Sequence, residues 1–230
     1  MLTPAHPFFP KFRALVAQAA ASRPVYDLGT SGRFAKELSF VRDVFDEQAY
    51  FAGGFSADPA VVPPGCDLAC DVQRLDGLTD GCAGAVLSMQ VLEHVEDPLQ
   101  AAREMLRILR PGGIALVAVP FMTSYHGKRP TPVNPVFQRG APAAANQSGH
   151  GEYHDFWRFT HEGLAHLLAT AGFARVDVWP IDGPFICRLE LLGVFRRAAR
   201  IPPLRALLAG MDRPRLGKAT SGHVAMAVKP

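Results

Sequence analysis

The sequence predicts an α/β domain in which helices cover both faces of a mostly parallel, doubly wound sheet. Short apolar runs alternate with segments of helical periodicity along most of the chain, the pattern of parallel strands joined by crossover helices. The run Ala83 to Met89 carries no charge, as expected of a strand covered on both faces. At 230 residues, 48 % of them hydrophobic, the chain is long enough for one core, and a single domain over 1–230 is expected.

An N-terminal helix and three short strands are expected in the first part of the chain. The helix covers about Pro10 to Ala21 and leads into a strand at Val25 to Leu28. A second helix follows a glycine-bearing turn, and further strands are expected at about Ala49 to Gly53 and Asp67 to Cys70. The second helix places these apolar side chains on one face at helical spacing: Phe34, Leu38, Val41 and Phe45.

The strand at 83–89 is followed by a helix with clear start and stop signals. Asp97 is expected to be its N-cap and Pro98 its first residue, because a carboxylate accepts free N–H groups and proline fits the first helical position. Gly112 and Gly113 are expected to stop this helix before a fifth strand at Ile114 to Val119.

One more helix and two strands complete the predicted sheet. Thr160 is expected to cap a helix that ends at Gly172, after which Ala174 to Val178 alternates as a sixth strand. The last strand is expected at Gly222 to Val228, which brings the sheet to seven strands.

Composition argues against several classes of protein. The formal net charge of +3 is too small for a nucleic-acid binder that acts through its whole surface. No stretch reaches the roughly 18 uninterrupted apolar residues of a membrane span. The segment Ala14 to Ala21 suits an amphipathic helix as well as a signal peptide, but Gln18 interrupts it and three prolines precede it. A cytoplasmic location is therefore expected. No metal site is predicted, because the cysteines lack zinc-knuckle spacing and are expected to be small buried thiols: Cys66, Cys70, Cys82 and Cys187.

Two segments break the alternation of strand and helix. Residues 121–156 are rich in Pro, Gly, Asn, Gln and His and are too long for a plain connection, so a substrate lid is predicted there. Residues 186–218 hold eight Lys or Arg against two acids, a net charge of +6, with apolar residues interleaved. This basic amphipathic insertion is either a helix that contacts a membrane surface or an anionic substrate, or a docked surface helix or dimer contact.

Four stretches follow one another along the chain: VYDLGTSG at 25–32, VLEHVEDP at 91–98, LRPGG at 109–113 and DFWRFT at 155–160. The ordered set resembles the class I S-adenosylmethionine-dependent methyltransferases, particularly the type 11 methyltransferase domain. The resemblance spans about Val25 to Phe173. It implies a Rossmann-like methyltransferase sheet whose last strand is antiparallel, with S-adenosylmethionine as the cofactor.

The resemblance also implies where the cofactor binds. The turn after the first strand lets the backbone approach the methionine portion, since glycine lacks Cβ. Asp27 at this turn is implied to orient the amino group, and Asp71 to accept a hydrogen bond from the adenine. The implied cofactor-binding residues are Asp27, Gly29, Thr30, Ser31, Gly32, Asp71, Val72, Ser88, Met89 and Gln90.

Two positions depart from the family pattern. Ser31 stands where the second glycine of the turn usually falls. Gly54 stands at the end of the second strand, where the family holds the ribose hydroxyls with an acid. Asp58 and Asp46 lie nearby, and each is either a substitute or a solvated loop acid. The turn also lacks the three-glycine fingerprint of a nicotinamide enzyme, so a dehydrogenase is not expected.

Methyl transfer from a sulfonium is an in-line displacement, for which alignment of the reactants is the main contribution of the protein. A hydroxyl nucleophile also benefits from a base of near-neutral pKa, and histidine is the natural choice. The catalytic candidates are His126 and His154, both in the predicted lid. Glu93 and His94 are expected to tie down a strand-to-helix loop rather than to act in catalysis.

The sequence therefore predicts methyl transfer from S-adenosylmethionine, at oxygen, to a small-molecule, glycan or lipid-linked acceptor. The alternative is a cofactor-binding or scaffold protein of the same fold that has lost catalysis, which the two departures motivate. No nucleic-acid partner is expected. A peripheral membrane contact through 186–218 and a homodimer both stay open.

Overall fold

The structure is a computed structural model that describes residues 2–56, 58, 60–127, 154–192, 201, 207–208, 210–212 and 214–230. Its strands are β1 Val25–Leu28, β2 Tyr50–Gly54, β3 Leu68–Ala69, β4 Ala83–Met89, β5 Leu109–Pro120, β6 Arg175–Pro180 and β7 Gly222–Val228. They form one seven-stranded sheet in the order β3-β2-β1-β4-β5-β7-β6. Strand β7 runs antiparallel to β5 and β6, and the other pairs are parallel. The predicted mostly parallel sheet with an antiparallel last strand is confirmed.

Helices pack on both faces of this sheet, as a doubly wound fold requires. They are α1 Phe9–Ala20, α2 Pro98–Ile108, α3 His161–Ala171 and α4 Pro184–Leu191. Helix α1 buries its apolar side against one face, and α2 and α3 pack on the other. The carboxyl ends of β1, β4 and β5 meet at one edge, where ligands bind in folds of this kind.

The predicted caps of α2 and α3 are confirmed. The Asp97 carboxylate accepts from the Gln100 N–H at 2.9 Å, and Pro98 is the first residue of α2. Thr160 Oγ1 accepts from the Gly163 N–H at 2.9 Å. Helix α3 ends at Gly172, whose φ of 113° is favourable only for glycine. These local signals set both helices before any tertiary contact is considered.

The α-helix predicted after the glycine turn is wrong, because this segment forms 3₁₀ turns. The prediction of which side chains it buries is confirmed. Residues Lys36–Val44 form 3₁₀ turns interrupted at Val41, where φ is −131°. Phe34 and Lys36 both have a φ of 52°, which prevents an α-helix from starting at the turn. The four apolar residues of the predicted face are nevertheless buried: Phe34, Leu38, Val41 and Phe45.

The predicted end of α2 is also wrong. The helix ends at Ile108, and Gly112 and Gly113 lie inside β5. Leu109 is fully buried and pairs with Ala83 of β4. The favourable free energy of burying its side chain stabilises a strand that begins directly after the helix. Gly112, with a φ of 74°, allows the irregular first part of this strand.

The basic insertion is described only in part. Within 186–218 the structure describes 186–192, 201, 207–208, 210–212 and 214–218. The Asp212 carboxylate accepts from the backbone N–H groups of Gly183, Phe185 and Ile186, and therefore caps the start of α4. Ile186 packs against Leu208 in a small separate cluster. Among the described residues, the helices are all too short or too polar to cross a bilayer.

Candidate active site

The turn after β1 has a backbone that only glycine accommodates. Gly29 has a φ of 75°, and a Cβ placed there would lie 2.6 Å from Val91 Cγ1. Its N–H donates to the Gly53 carbonyl at 2.8 Å, which ties the turn to the end of β2. The turn therefore lies at the carboxyl edge of the sheet, where the Val91 side chain packs against Gly29 and leaves no room for a Cβ.

Asp27 lies beneath this turn and is buried. The Tyr50 hydroxyl donates to Asp27 Oδ2 at 2.6 Å. Burial raises the pKa of Asp27 to about 7, even though the hydrogen bond from Tyr50 favours the charged form. The same burial, with the neighbouring carboxylate, raises the pKa of the Tyr50 hydroxyl far above its ordinary value. A cationic group bound close to Asp27 would favour the ionised form of its carboxylate.

Two adjoining hollows open at the same edge. The larger, of about 120 Å³, is lined by Leu2, His6, Phe12, Glu37, Met89, Gln90, Ala118, Thr123, Ile181 and Ser221. The smaller, of about 10 Å³, is lined by Asp27, Leu28, Thr30, Ala35, Lys36, Glu37, Leu38 and Met89. Glu37 and Met89 belong to both. Thus Asp27, Thr30, Met89 and Gln90, four of the predicted cofactor residues, line these hollows.

Glu37 is a polar group that the sequence reasoning missed. The residue is 9 % exposed, and within the part of the chain that the structure describes its buried Oε2 has no hydrogen-bond partner. A charged residue directly before the buried Leu38 was the available signal. Ser88, a predicted cofactor residue near the end of β4, likewise has a buried Oγ that finds no hydrogen-bond partner among the described residues. Unsatisfied buried polar atoms of this kind are costly, and a bound ligand is one way to satisfy them.

The predicted cofactor residues outside the lining of the two hollows lie around the same edge, and Thr30 shapes the turn that holds several of them. Thr30 Oγ1 donates to the Gly32 carbonyl at 2.9 Å and so closes the turn over Ser31. Asp71 Oδ1 accepts from the Gln73 N–H at 2.9 Å, and Val72 is buried in the core.

The end of β2 carries no acid. A Cβ on Gly54 would lie 2.6 Å from Cys66 Sγ, so a sulfur atom fills the space where the family has its ribose acid. Asp46 is not a substitute: it precedes β2, at the opposite edge of the sheet, where it caps a short turn and pairs with Arg23 at 2.6 Å. Asp58 accepts from the Ala60 N–H at 2.9 Å in its own loop.

A second group of polar residues lies beyond the ends of β4 and β5. Glu93 is fully buried in a short turn, and its Oε1 lies 3.5 Å from His94 Nε2 and 3.6 Å from His126 Nε2. The two imidazoles meet edge to face, with ring centroids 5.1 Å apart. We call Glu93, His94 and His126 the histidine cluster.

Asp155 and Arg158 support this cluster from the far side of the predicted lid. Asp155 Oδ2 accepts from the His126 backbone N–H at 2.8 Å and from Arg158 Nη2 at 2.6 Å. Arg158 also reaches the carbonyls of Thr123 and Ser124. The two described ends of the lid, 121–127 and 154–156, are thereby held together, and 128–153 lies outside the described residues.

The environment shifts the pKa values of these groups in different directions. Burial lowers the pKa of His94, whereas the contact with Glu93 raises the pKa of His126. Burial acts to raise the pKa of Asp155, but Arg158 and the His126 N–H outweigh it and lower the pKa. The Asp155 carboxylate is therefore ionised, and it orients His126 through the bond to its backbone N–H.

The histidine cluster contains only part of what the sequence predicted there. His126 belongs to it by its ring. His154 contributes its carbonyl oxygen, which contacts His94 Nδ1, while its own ring stacks on Phe156 at 5.0 Å. The Glu93 main-chain carbonyl does tie down the loop, accepting from Phe156 N–H at 2.7 Å. Its side chain, however, faces the histidines, which the sequence analysis did not anticipate.

Comparison with known proteins finds similarity to methyltransferases. A family model described as a methyltransferase domain matches residues 28–117. A probable S-adenosylmethionine-dependent methyltransferase of Mycobacterium tuberculosis is 36 % identical over 175 residues, covering 66 % of this chain and 57 % of that protein. A protein of similar name from Mycolicibacterium smegmatis is 35 % identical over 100 residues, covering 44 % of this chain and 32 % of that protein. The chain thus spans about a third to just over half the length of these relatives.

Solved structures agree in fold. An S-adenosylmethionine-dependent methyltransferase from Mesorhizobium loti superimposes with a TM-score of 0.52, covering 97 % of this chain and 98 % of that one. The sequence identity is 15 %, so this likeness concerns the architecture alone.

Proposed function

We propose that the chain is a class I S-adenosylmethionine-dependent methyltransferase and that it transfers a methyl group from S-adenosylmethionine to an oxygen atom of a small-molecule, glycan or lipid-linked acceptor. The observation that carries the proposal is that the Asp27–Gly29 turn and the histidine cluster lie beyond the carboxyl ends of adjacent strands, β1 and β4. One can hold the cofactor while the other receives the acceptor.

The turn and its surroundings fit the methionine end of the cofactor. Gly29 admits close backbone approach, and Asp27 would orient the amino group. Met89 and Gln90 would line the methionine chain, and the φ of 57° at Gln90 is a conformation that non-glycine residues adopt mainly where function or packing demands it. The bound group supplies an activated methyl on a sulfonium. Asp71 would accept from the adenine amine.

An oxygen acceptor must lose its proton, and His126 is our candidate to accept it. Its Nδ1 faces acceptor atoms, Ser124 O at 3.3 Å and Asp155 Oδ2 at 3.4 Å, so Nδ1 carries the hydrogen and Nε2 is the basic atom. Glu93 Oε1, 3.6 Å from Nε2, would stabilise the imidazolium that forms. The His126 side chain is 37 % exposed, which leaves it within reach of an acceptor.

The alternative is a chain of the same fold that binds cofactor or partner without turnover. Two observations favour it: the larger hollow, about 120 Å³, is smaller than most ligand pockets, which start at about 300 Å³, and Cys66 occupies the ribose-acid position. Two measurements distinguish the methyltransferase from the non-catalytic alternative. Calorimetric titration with S-adenosylmethionine measures binding, and detection of S-adenosylhomocysteine across a panel of hydroxyl acceptors measures turnover. Turnover that His126→Asn abolishes supports the proposal. Binding without turnover on any acceptor supports the alternative.

We also keep the cytoplasmic location, the membrane contact through 186–218 and the homodimer as proposals from the sequence. Flotation of the full chain with liposomes, with and without anionic lipid, tests the membrane contact. Retention in the unfloated fraction with both compositions would contradict it, and light scattering gives the oligomeric state.

A further inference from the structure

We propose that the histidine cluster, Glu93, His94 and His126, binds one divalent transition-metal ion of the zinc type. One ligand atom from each residue lies within 4.8 Å of the others. The cluster is distinct from the cofactor-binding residues, and the sequence analysis predicted no metal site. The inference depends on which atoms of these residues carry hydrogens.

His94 presents a lone pair to Glu93. Its Nδ1 contacts the carbonyl oxygen of His154, and a carbonyl only accepts, so Nδ1 carries the hydrogen. In the neutral ring Nε2 then carries a lone pair and no hydrogen, and it lies 3.5 Å from Glu93 Oε1. A lone pair facing a carboxylate oxygen is unfavourable unless a cation lies between them.

His126, in another loop, has the same arrangement as His94: Nδ1 faces hydrogen-bond acceptors and Nε2 faces Glu93. Its Nδ1 also faces two acceptors, the Ser124 carbonyl and the Asp155 carboxylate, which leaves Nε2 bare, 3.6 Å from the same oxygen of Glu93. Metal-binding histidines characteristically donate their other N–H to a carbonyl or a carboxylate in this way. Both partner types are present here.

Glu93 is the second, independent sign of a bound cation. Its side chain is 0 % exposed, and neither carboxylate oxygen has a hydrogen-bond partner within the described residues. Burial of an ionised carboxylate without compensation is expensive, and a cation shared with two imidazoles would compensate it.

The separations and donor types define the class of ion. Ligand atoms bound to zinc at about 2.0–2.2 Å in a tetrahedral arrangement are about 3.4 Å apart, which matches the distances from Glu93 Oε1 to the two imidazoles. Two nitrogen donors with one carboxylate suit zinc, cobalt and ferrous iron, whereas magnesium and calcium prefer oxygen. Three protein ligands leave a coordination position open.

What such an ion would do rests on the proposed function. A hydroxyl acceptor coordinated at the open position would have its pKa lowered, as metal-bound water does. His126 would then act as a ligand, and proton loss from the acceptor would no longer require it as a base. Binding of the ion itself does not depend on methyl transfer.

Metal binding can be measured without cofactor or acceptor. The full chain, stripped with a chelator, is titrated with Zn²⁺ by calorimetry, and Co²⁺ is added to a second sample for absorption spectra. We expect one equivalent of ion per chain, and affinity reduced at least tenfold in Glu93→Gln and in His126→Asn. Asp155→Asn, which leaves the three ligands in place and changes a partner that His126 shares with Arg158, should weaken binding by about 10- to 100-fold.

The matched control is His166→Asn, an exposed histidine of α3, which should bind like the unmodified chain. Circular dichroism establishes that each variant is folded, and His126→Asn serves if Glu93→Gln is not. Affinities equal to those of the control would overturn the proposal, and so would thiolate-to-cobalt charge-transfer bands, which would place the ion on cysteines. Metal binding without methyl transfer would contradict only the proposed function.

Discussion

The Tyr50 hydroxyl lies 2.6 Å from Asp27 Oδ2, so the first residue of β2 fixes the acid of the neighbouring β1. Both residues are buried, with exposures of 1 % and 2 %. The tyrosine ring is held in turn by Phe34 and Phe45, with ring centroids 4.2 and 5.1 Å away. An aromatic cluster on one face of the sheet thus orients a carboxylate of the candidate cofactor site.

Tyr50→Phe tests this support directly, because it removes the hydroxyl and keeps the ring. A buried carboxylate that loses its donor should lower the free energy of unfolding by about 1–3 kcal/mol. Urea denaturation at pH 7 measures the change. Tyr125→Phe removes a hydroxyl from a ring that is 57 % exposed and should have little effect. Equal losses in the two variants would show that the bond to Asp27 contributes nothing specific.

The raised pKa of Asp27 predicts a dependence of stability on pH. The value is about 7 in the folded chain, against about 3.9 in an unfolded one. Between these values the folded state keeps a proton that the unfolded state has lost, so stability should fall as the pH rises from about 4 to about 7. Asp27→Asn does not titrate.

The free energy of unfolding of Asp27→Asn minus that of the unmodified chain should therefore grow over this window and stay constant below it. Urea curves at half-unit pH steps measure the difference. Parallel profiles would contradict the raised pKa. The same variant should bind S-adenosylmethionine more weakly, since it cannot supply the negative charge.

Much of the fold could be predicted because its signals are local. Asp97, Pro98, Thr160 and Gly172 mark helix ends through bonds to their own neighbours, and the structure has all of them where the sequence indicated. The end of α2 could not be predicted from Gly112, because burial of Leu109 between neighbouring elements decides it. Tertiary burial overrides a local stop signal there.

The candidate site divides in the same way. The turn at Gly29 is encoded in a short motif and could be located. The histidine cluster joins loops that follow β4 and β5, so its side chains meet only in three dimensions. Asp46 illustrates the converse: it is near β2 in sequence, but it lies at the wrong end of the strand.

Gly29→Ala should damage both the turn and cofactor binding. The new Cβ would lie 2.6 Å from Val91 Cγ1, at a φ of 75° that alanine rarely adopts. We expect a loss of stability above about 1 kcal/mol and no calorimetric signal with S-adenosylmethionine. The control is Gly77→Ala, where a Cβ meets nothing within 4 Å. Normal cofactor affinity in Gly29→Ala would place the site elsewhere.

Glu37→Gln tests the acid that both hollows share. We expect Glu37 Oε2, which has no hydrogen-bond partner within the described residues, to face the sulfonium. Neutralising this carboxylate should weaken binding of S-adenosylmethionine by about tenfold, the equivalent of 1.4 kcal/mol. S-adenosylhomocysteine, which lacks the sulfonium charge, should lose much less. The exposed Glu162→Gln on α3 is the control. Equal losses for the two ligands would contradict this placement of Glu37.

Asp212→Ala should loosen α4 while the sheet stays intact. The carboxylate accepts from the N–H groups of Gly183, Phe185 and Ile186 at 2.5, 3.2 and 3.2 Å, and loss of such a cap costs about 0.5–2 kcal/mol. Because α4 packs on a small cluster, the loss should open it locally. Cys187, on α4 and fully buried, then becomes open to alkylation, which peptide mass spectrometry detects.

Two further variants serve as controls for this labelling. Asp212→Asn, which keeps one acceptor oxygen, should react more slowly than Asp212→Ala, and Asp177→Ala should match the unmodified chain. Unchanged labelling of Cys187 in Asp212→Ala would mean that contacts other than this cap hold α4.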